Sequence, residues 1–181
     1  MAEVLLADGL ARRGVDATVS SAGLLEDGRP ASEHSVRVMA DRGLDLSGHA
    51  SRVMTPAMLD EADLIIAMER RHIREAAVLS RGCWPRAFTL RELERRLVAA
   101  GPRPSAVGLD EWLVEIAADR VPTDHLGQSS ADDVDDPIGR SLRTYRKCAE
   151  TLDGLVASVV DHLWPTVDQA LNPESLRSTT A

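Results

Sequence analysis

An α/β fold is what this sequence predicts, a single layered domain with a mostly parallel sheet flanked by helices. Three observations carry that prediction. Strand-like segments alternate with helix-like ones along the chain, the order that builds a parallel sheet covered by helices. The apolar run Ala62-Asp63-Leu64-Ile65-Ile66-Ala67-Met68 reads as a strand buried on both faces. The chain of 181 residues shows no internal repeat and no linker strong enough to divide it, which suits one domain.

Each element has its own justification. Met1 to Arg13 is expected as a helix, with Val4, Leu5, Leu6, Leu10 and Ala11 at helical spacing and Gly14 as its stop. It starts without the capping residue and lead-in that a core helix normally has. Val15 to Ser21 alternates Val15, Ala17 and Val19 with Asp16, Thr18 and Ser20, the pattern of a short strand, and Ser21-Ala22-Gly23 is its tight exit. After the turn Gly28-Arg29-Pro30, Ala31 to Arg42 forms an amphipathic helix with Val36, Met39 and Ala40 on one face. Residues 44–52 are a loop, and Thr55 then caps a short helix that has Pro56 at its first position.

Beyond the strand at 62–68, Glu69 to Leu79 is helical, Arg86 to Leu90 a further short strand and Arg91 to Ala100 a helix. Leu109 to Asp119 is a helix that buries Trp112, Leu113 and Ile116. The longest helix runs from Ile138 to Leu163, with Leu142, Tyr145, Ala149, Leu152, Val156, Val159 and Leu163 as its stripe, and Trp164-Pro165 stops it. Residues 1–171 are expected to form the domain, and the polar residues 172–181 a disordered tail.

Composition narrows the function. A formal net charge of -8 argues against a general nucleic-acid or membrane-surface binder, which would present a basic face. Cys83 and Cys148 form no CxxC pair and no ligand cluster with the histidines, so neither a metal nor another cofactor is expected. A reduced, cytoplasmic setting is the simplest inference. No apolar run is long enough to span a bilayer, and the start has no basic-then-apolar signal peptide.

The stretch Asp132-Asp133-Val134-Asp135-Asp136-Pro137-Ile138-Gly139 gathers four carboxylates ahead of a proline and a glycine. Proline biases the residue before it toward extended geometry, so Asp136 belongs at the end of a loop. Pro137 suits the first position of the following helix. The Asp136 carboxyl then lies at the mouth of that helix, where it caps the helix or reaches outward as a proton donor. Capping is the common role for such an aspartate, so a catalytic acid needs a nucleophile and an anion site to act with.

The order of motifs resembles the low-molecular-weight protein tyrosine phosphatase family. Met1-Ala2-Glu3-Val4-Leu5-Leu6 looks like the helix that follows that family's phosphate loop, and Val19-Ser20-Ser21-Ala22-Gly23 resembles its second strand and Ser-Ala-Gly turn. Leu46-Ser47-Gly48-His49-Ala50-Ser51-Arg52 is similar to its histidine loop. Asp63-Leu64-Ile65-Ile66-Ala67-Met68-Glu69 looks like its third strand and the acidic residue beyond. Asp136-Pro137 resembles its Asp-Pro general-acid loop, and a C-terminal helix follows. The match keeps the family's order from Met1 to about Leu163.

The resemblance implies phosphomonoester hydrolysis through a cysteinyl-phosphate, with Asp136 as general acid and Ser21 and His49 bracing the phosphate loop by hydrogen bonds. Glu69 matches an acidic position at a helix start. The implied partner is a phosphorylated protein or a small phosphomonoester, with phosphoarginine and arsenate as other possibilities on the same fold, and neither a nucleic acid nor a membrane. Ile138 stands where tyrosine-specific members often place an aromatic side chain.

The larger departure from the family lies at the start of the sequence. The family's nucleophile lies in a Cys-x5-Arg loop just upstream of the Met-Ala-Glu helix. Here Cys83 has Arg86 too close, and Cys148 has Gly154 where the arginine should be. The family's first strand, central in its sheet, is missing with that loop. The strands near Val19 and Leu64 are therefore expected to lose their shared neighbour, which leaves the chain poorly stable or paired with something else. A start codon overlooked upstream would account for this. A non-catalytic binding or regulatory member, or an inactive fragment, is the alternative.

Overall fold

The computed structural model describes residues 1–121, 123 and 131–166; the tail expected at 172–181 lies outside the described residues. Its helices are α1 (Ala2–Arg12), α2 (Glu33–Ala40), α3 (Pro56–Glu61), α4 (Arg70–Leu79), α5 (Leu90–Ala100), α6 (Leu109–Ile116) and α7 (Leu142–Leu163). Strand β1 (Ile65–Ala67) lies before α4, and a 3-10 turn at Arg81–Arg86 leads into β2 (Ala87–Thr89).

The two strands pair in parallel, with Ile65 beside Ala87, Ile66 beside Phe88 and Ala67 beside Thr89. Successive side chains leave opposite faces of a strand. Ile66 and Phe88, with Leu64 and Met68, join the main core among α1, α2, α5, α6 and α7. Ile65, Ala67 and Ala87 join a smaller core with Leu59, Ile73, Ala76 and Cys83. Helices thus cover both faces, the layered α/β arrangement expected from the alternation of elements.

Two strand expectations need correcting. Ile65 and Ile66 are half-buried rather than buried, because β1 has a strand neighbour on one edge only among the described residues. Residues 15–22 join no ladder among the described residues; only isolated bridges follow, Gly23 with Val53 and Pro30 with Ala50. Alternation prepares a segment for a sheet, but a ladder also needs a partner backbone. Val15 and Val19 still pack on the main core.

Helix ends follow local chemistry closely. Gly14 takes φ +67°, and the bonds Gly14 N–H to Ala11 O (3.0 Å) and Val15 N–H to Leu10 O (3.0 Å) close α1. Thr55 caps α3 by accepting from Met58 N, and Thr89 caps α5 by accepting from Glu92 N at 3.2 Å. The apolar faces shift slightly from expectation. α1 buries Leu5 and Leu10 while Ala11 is exposed, and α2 buries Val38 and Met39 while Ala40 faces water.

α7 is the central post of the main core and packs on α1, α2 and α5. Of its expected stripe, Tyr145, Ala149, Leu152, Val156, Val159 and Leu163 are buried and Leu142 half-buried. At the α1 contact, a Cβ on Gly9 would meet Val160 Cγ2 at 3.4 Å. The far end of α7 is held by arginines: Arg13 donates to Trp164 O at 2.7 Å, and Arg103 to Leu163 O at 2.7 Å. Among the described residues no helix is long and apolar enough to cross a membrane.

Candidate active site at the start of α1

Three side chains distant in sequence meet at the first turn of α1. Ser21 Oγ donates to Glu3 Oε2 at 2.6 Å, and His49 Nδ1 lies 3.4 Å from the same oxygen. The loop that carries His49 is anchored by buried Leu46, turned by Ser47 N–H donating to Asp45 Oδ1 (2.8 Å), and laced to 23–29. Gly23 N–H donates to Arg52 O and Ser51 N–H to Arg29 O, each at 2.8 Å. Ser21 and His49 are therefore brought together, through Glu3. Sequence reasoning passed over Glu3 as a meeting point, since an acid in a first helical turn reads as ordinary dipole stabilisation.

The acidic stretch arrives at the same corner in two halves. Its first half is clamped. Asp132 pairs with Arg95. Asp133 Oδ1 accepts from Arg70 N at 2.8 Å, and its backbone carbonyl from Arg91 Nε at 3.0 Å. Val134 is buried, and its N–H donates to Met68 O at 2.8 Å. Asp133 thus serves the N-terminus of α4, while Glu69 makes no capping bond and pairs with Arg71 at 2.8 Å.

The second half is open. Asp135 and Asp136 are exposed and line a cavity of about 410 Å³ with Arg140 and Thr144. Asp136 Oδ1 accepts from Ile138 N at 2.9 Å, closing a side-chain turn on its own backbone. Arg140 N–H donates to Pro137 O at 2.9 Å, and Gly139 supplies φ +73°. α7 therefore starts at Leu142 with Ser141 as its cap, not at Pro137. The turn uses four residues that helical spacing had assigned to α7, and Asp136 sits one turn ahead of the helix mouth.

Cys148, on the second turn of α7, joins these parts. Its Sγ lies 3.7 Å from Asp135 O. Burial pushes the thiol up, and Asp136 and Asp135 push it further, against the Met1 ammonium. That ammonium is itself pulled down by burial, against Glu3 and Cys148. These couplings put the start of α1, Cys148 and the acid loop side by side. Cys83 is buried, and desolvation raises its thiol too. Both cysteines are thiols at neutral pH, and the thiolate is the nucleophile. Among the described residues no group of His, Cys, Asp and Glu could hold a metal ion.

His72, half-buried in the first turn of α4, faces this loop. Burial depresses it below 6.5, Arg71 helps, and Glu69, Asp133 and Asp136 oppose. A depressed histidine binds its proton more readily in the unfolded chain, so stability falls with pH below about 6.5. Denaturant midpoints between pH 7 and 5 should therefore fall more steeply in the native chain than in His72→Gln. Parallel curves would remove His72 as a source.

A family model for the low molecular weight phosphotyrosine protein phosphatases matches residues 1–96. A probable low molecular weight protein-tyrosine-phosphatase, EpsP of Ralstonia solanacearum, is 34% identical over 129 residues, 65% of this chain and 87% of that protein. The crystal structure of the low molecular weight protein tyrosine phosphatase from T. tengcongensis superimposes with TM-score 0.66 at 26% identity, covering 90% of this chain and 88% of that one. The arginine phosphatase YwlE from Geobacillus stearothermophilus has the same fold, with TM-score 0.63, 20% identity, and 94% and 86% of the two chains covered. With Ser21, Glu3 and His49 gathered at one helix start and an Asp-Pro loop beside it, these matches agree on one assignment: the chain belongs to the low molecular weight phosphotyrosine protein phosphatase family.

Proposed function

We propose that this chain carries the acid and the bracing residues of a phosphomonoester hydrolase that works through a cysteinyl-phosphate. The carrying observation is the meeting of Ser21 and His49 on Glu3, next to the loop that exposes Asp136. Asp136 protonates the leaving oxygen and later takes a proton from the water that hydrolyses the phospho-cysteine. Ser21 and His49 fix geometry and do not react; Glu3 is the carboxylate that ties them to α1.

The nucleophile belongs to a Cys-x5-Arg loop that delivers the phosphate to the start of α1, where unpaired N–H groups and the helix dipole favour an anion. Neither Cys83 nor Cys148 has the spacing or the thiolate for it. Such a loop and its strand, placed ahead of Met1, would sit between β1 and the unladdered segment 15–22 and complete the site. On this reading turnover requires that loop. The substrate is a phosphorylated protein or a small phosphomonoester, and the setting cytoplasmic. Ile138, 64% exposed, offers the leaving group an aliphatic surface rather than an aromatic wall.

An aryl phosphate assay on the given chain, and on a form extended through the codons ahead of Met1, decides the matter. Turnover in the extended form alone is expected. A stably folded chain, inactive in both forms, would favour a non-catalytic binding or regulatory member instead.

A further inference from the structure

A basic stripe leaves the acid loop along the first two turns of α7. Arg140 lines the cavity with Asp136. Arg143 and Lys147 follow at i and i+4 spacing, on the face that carries Thr144, another cavity residue. All three cations are exposed. None of them forms an ion pair or a side-chain hydrogen bond among the described residues, in contrast to Arg12 with Asp8, Arg29 with Glu26, Arg95 with Asp132 and Arg146 with Asp41.

The placement also runs against helix electrostatics. The first turn of α7 holds Arg143 and no acid, where the positive end of the helix repels a cation. α1, α2 and α5 carry Glu3, Glu33 and Glu92 at that place, and where α4 starts with Arg70 and Arg71 these face Asp133 and Glu69. Positive charge at this helix end, with no contact to offset it, in a chain of net charge -8, leaves three neighbouring cations available to an anion. Glu150, one turn beyond Lys147, ends the stripe, and Asp135 and Asp136 border it at the cavity.

We propose that Arg140, Arg143 and Lys147 dock an acidic stretch of a phosphorylated protein substrate, the segment next to the phosphorylated residue. Four residues of helix advance about 6 Å. Alternate side chains of an extended peptide are about 6.6 Å apart. Arg143 and Lys147 therefore match acids at alternate positions of an extended segment, with Arg140 reading a third acid nearest the leaving group. The identity of the partner as substrate rests on the proposed phosphatase reading; the docking itself does not require turnover.

The full chain can be titrated as it stands. An amide NMR titration at low salt would use a blocked five-residue peptide with glutamate at alternate positions, the same peptide with glutamine, and a short oligothymidylate. The glutamate peptide alone is expected to shift amides of residues 139–148, and to bind several-fold more weakly once salt shortens the screening length to about 5 Å. In the double variant Arg143→Glu, Lys147→Glu its affinity should fall about tenfold or more, while Tm does not fall, since the change suits the helix end. Equal shifts from both peptides, undiminished binding in the variant, shifts centred on Arg37, Arg52 or Arg81, or tighter binding of the oligothymidylate would each overturn the proposal. No turnover enters this titration, so an Asp136 without the acid role would leave its result standing, and the reverse holds too.

Discussion

Asp136→Ala is expected to slow turnover of a phosphomonoester with a poor leaving group about 10²–10⁴-fold, in a form that carries the nucleophile loop. The reasoning is geometric before it is electronic. Asp136 is exposed at the cavity wall, held by its own bond to Ile138 N at 2.9 Å. The residues just before it are pinned by Asp133 to Arg70 N and by Val134 to Met68 O, each at 2.8 Å. The carboxyl is thus presented from a fixed base, as a proton donor must be. A leaving group that departs readily without a proton should lose much less rate. Equal losses on good and poor leaving groups, or no loss on the poor one, would remove Asp136 from the acid role.

Arg120→Ala should cost about 3–5 kcal/mol of folding stability, the usual penalty for stripping one partner from a buried ion pair. Its side chain is 1% exposed, and Nε lies 2.7 Å from Oε1 of Glu92, whose side chain is 4% exposed. The guanidinium also donates to Trp84 O at 3.0 Å and Ala87 O at 2.6 Å, and lies over the rings of Trp84 and Phe88, 4.3 and 4.2 Å from their centroids. Truncation removes these bonds and leaves Glu92 with Arg96 at 3.2 Å. Single domains have about 5–15 kcal/mol in all, so this one change consumes much of it. Replacing both partners by apolar residues of similar volume should be far milder. Urea unfolding measures both, and a single-variant loss under about 1 kcal/mol would mean that the pair is solvated.

Local chemistry made much of this readable in advance. Thr55 before Pro56, Gly14 after an apolar helix, and the spacing from Tyr145 to Leu163 each state their role within a few residues. Contacts between distant residues did not. The alternation from Val15 to Val19 promises a strand but cannot say whether a partner is present. Glu3 looks like any first-turn acid until Ser21 and His49 fold onto it. Asp136-Pro137 marks a loop end correctly, yet the side-chain turn to Ile138 and the φ +73° of Gly139 postpone α7 to Leu142. Arg120 and Glu92 lie 28 residues apart and nothing in either neighbourhood announces their bond.

The close packing of α1 on α7 has a further effect. A Cβ on Gly9 would meet Val160 at one end while the Met1 ammonium feels Cys148 at the other, so α1 and α7 run in the same direction. Glu3 rides on one of these rods, and Asp136 is hinged to the front of the other. Their packing sets the offset between the two halves of the candidate site: a slip of one residue would move Glu3 about 1.5 Å along its axis while leaving Asp136 in place. A side chain larger than a methyl at Gly9, remote from Glu3 and Asp136, would therefore press on Val160 and on the α1–α7 spacing that sets the distance between those two carboxylates.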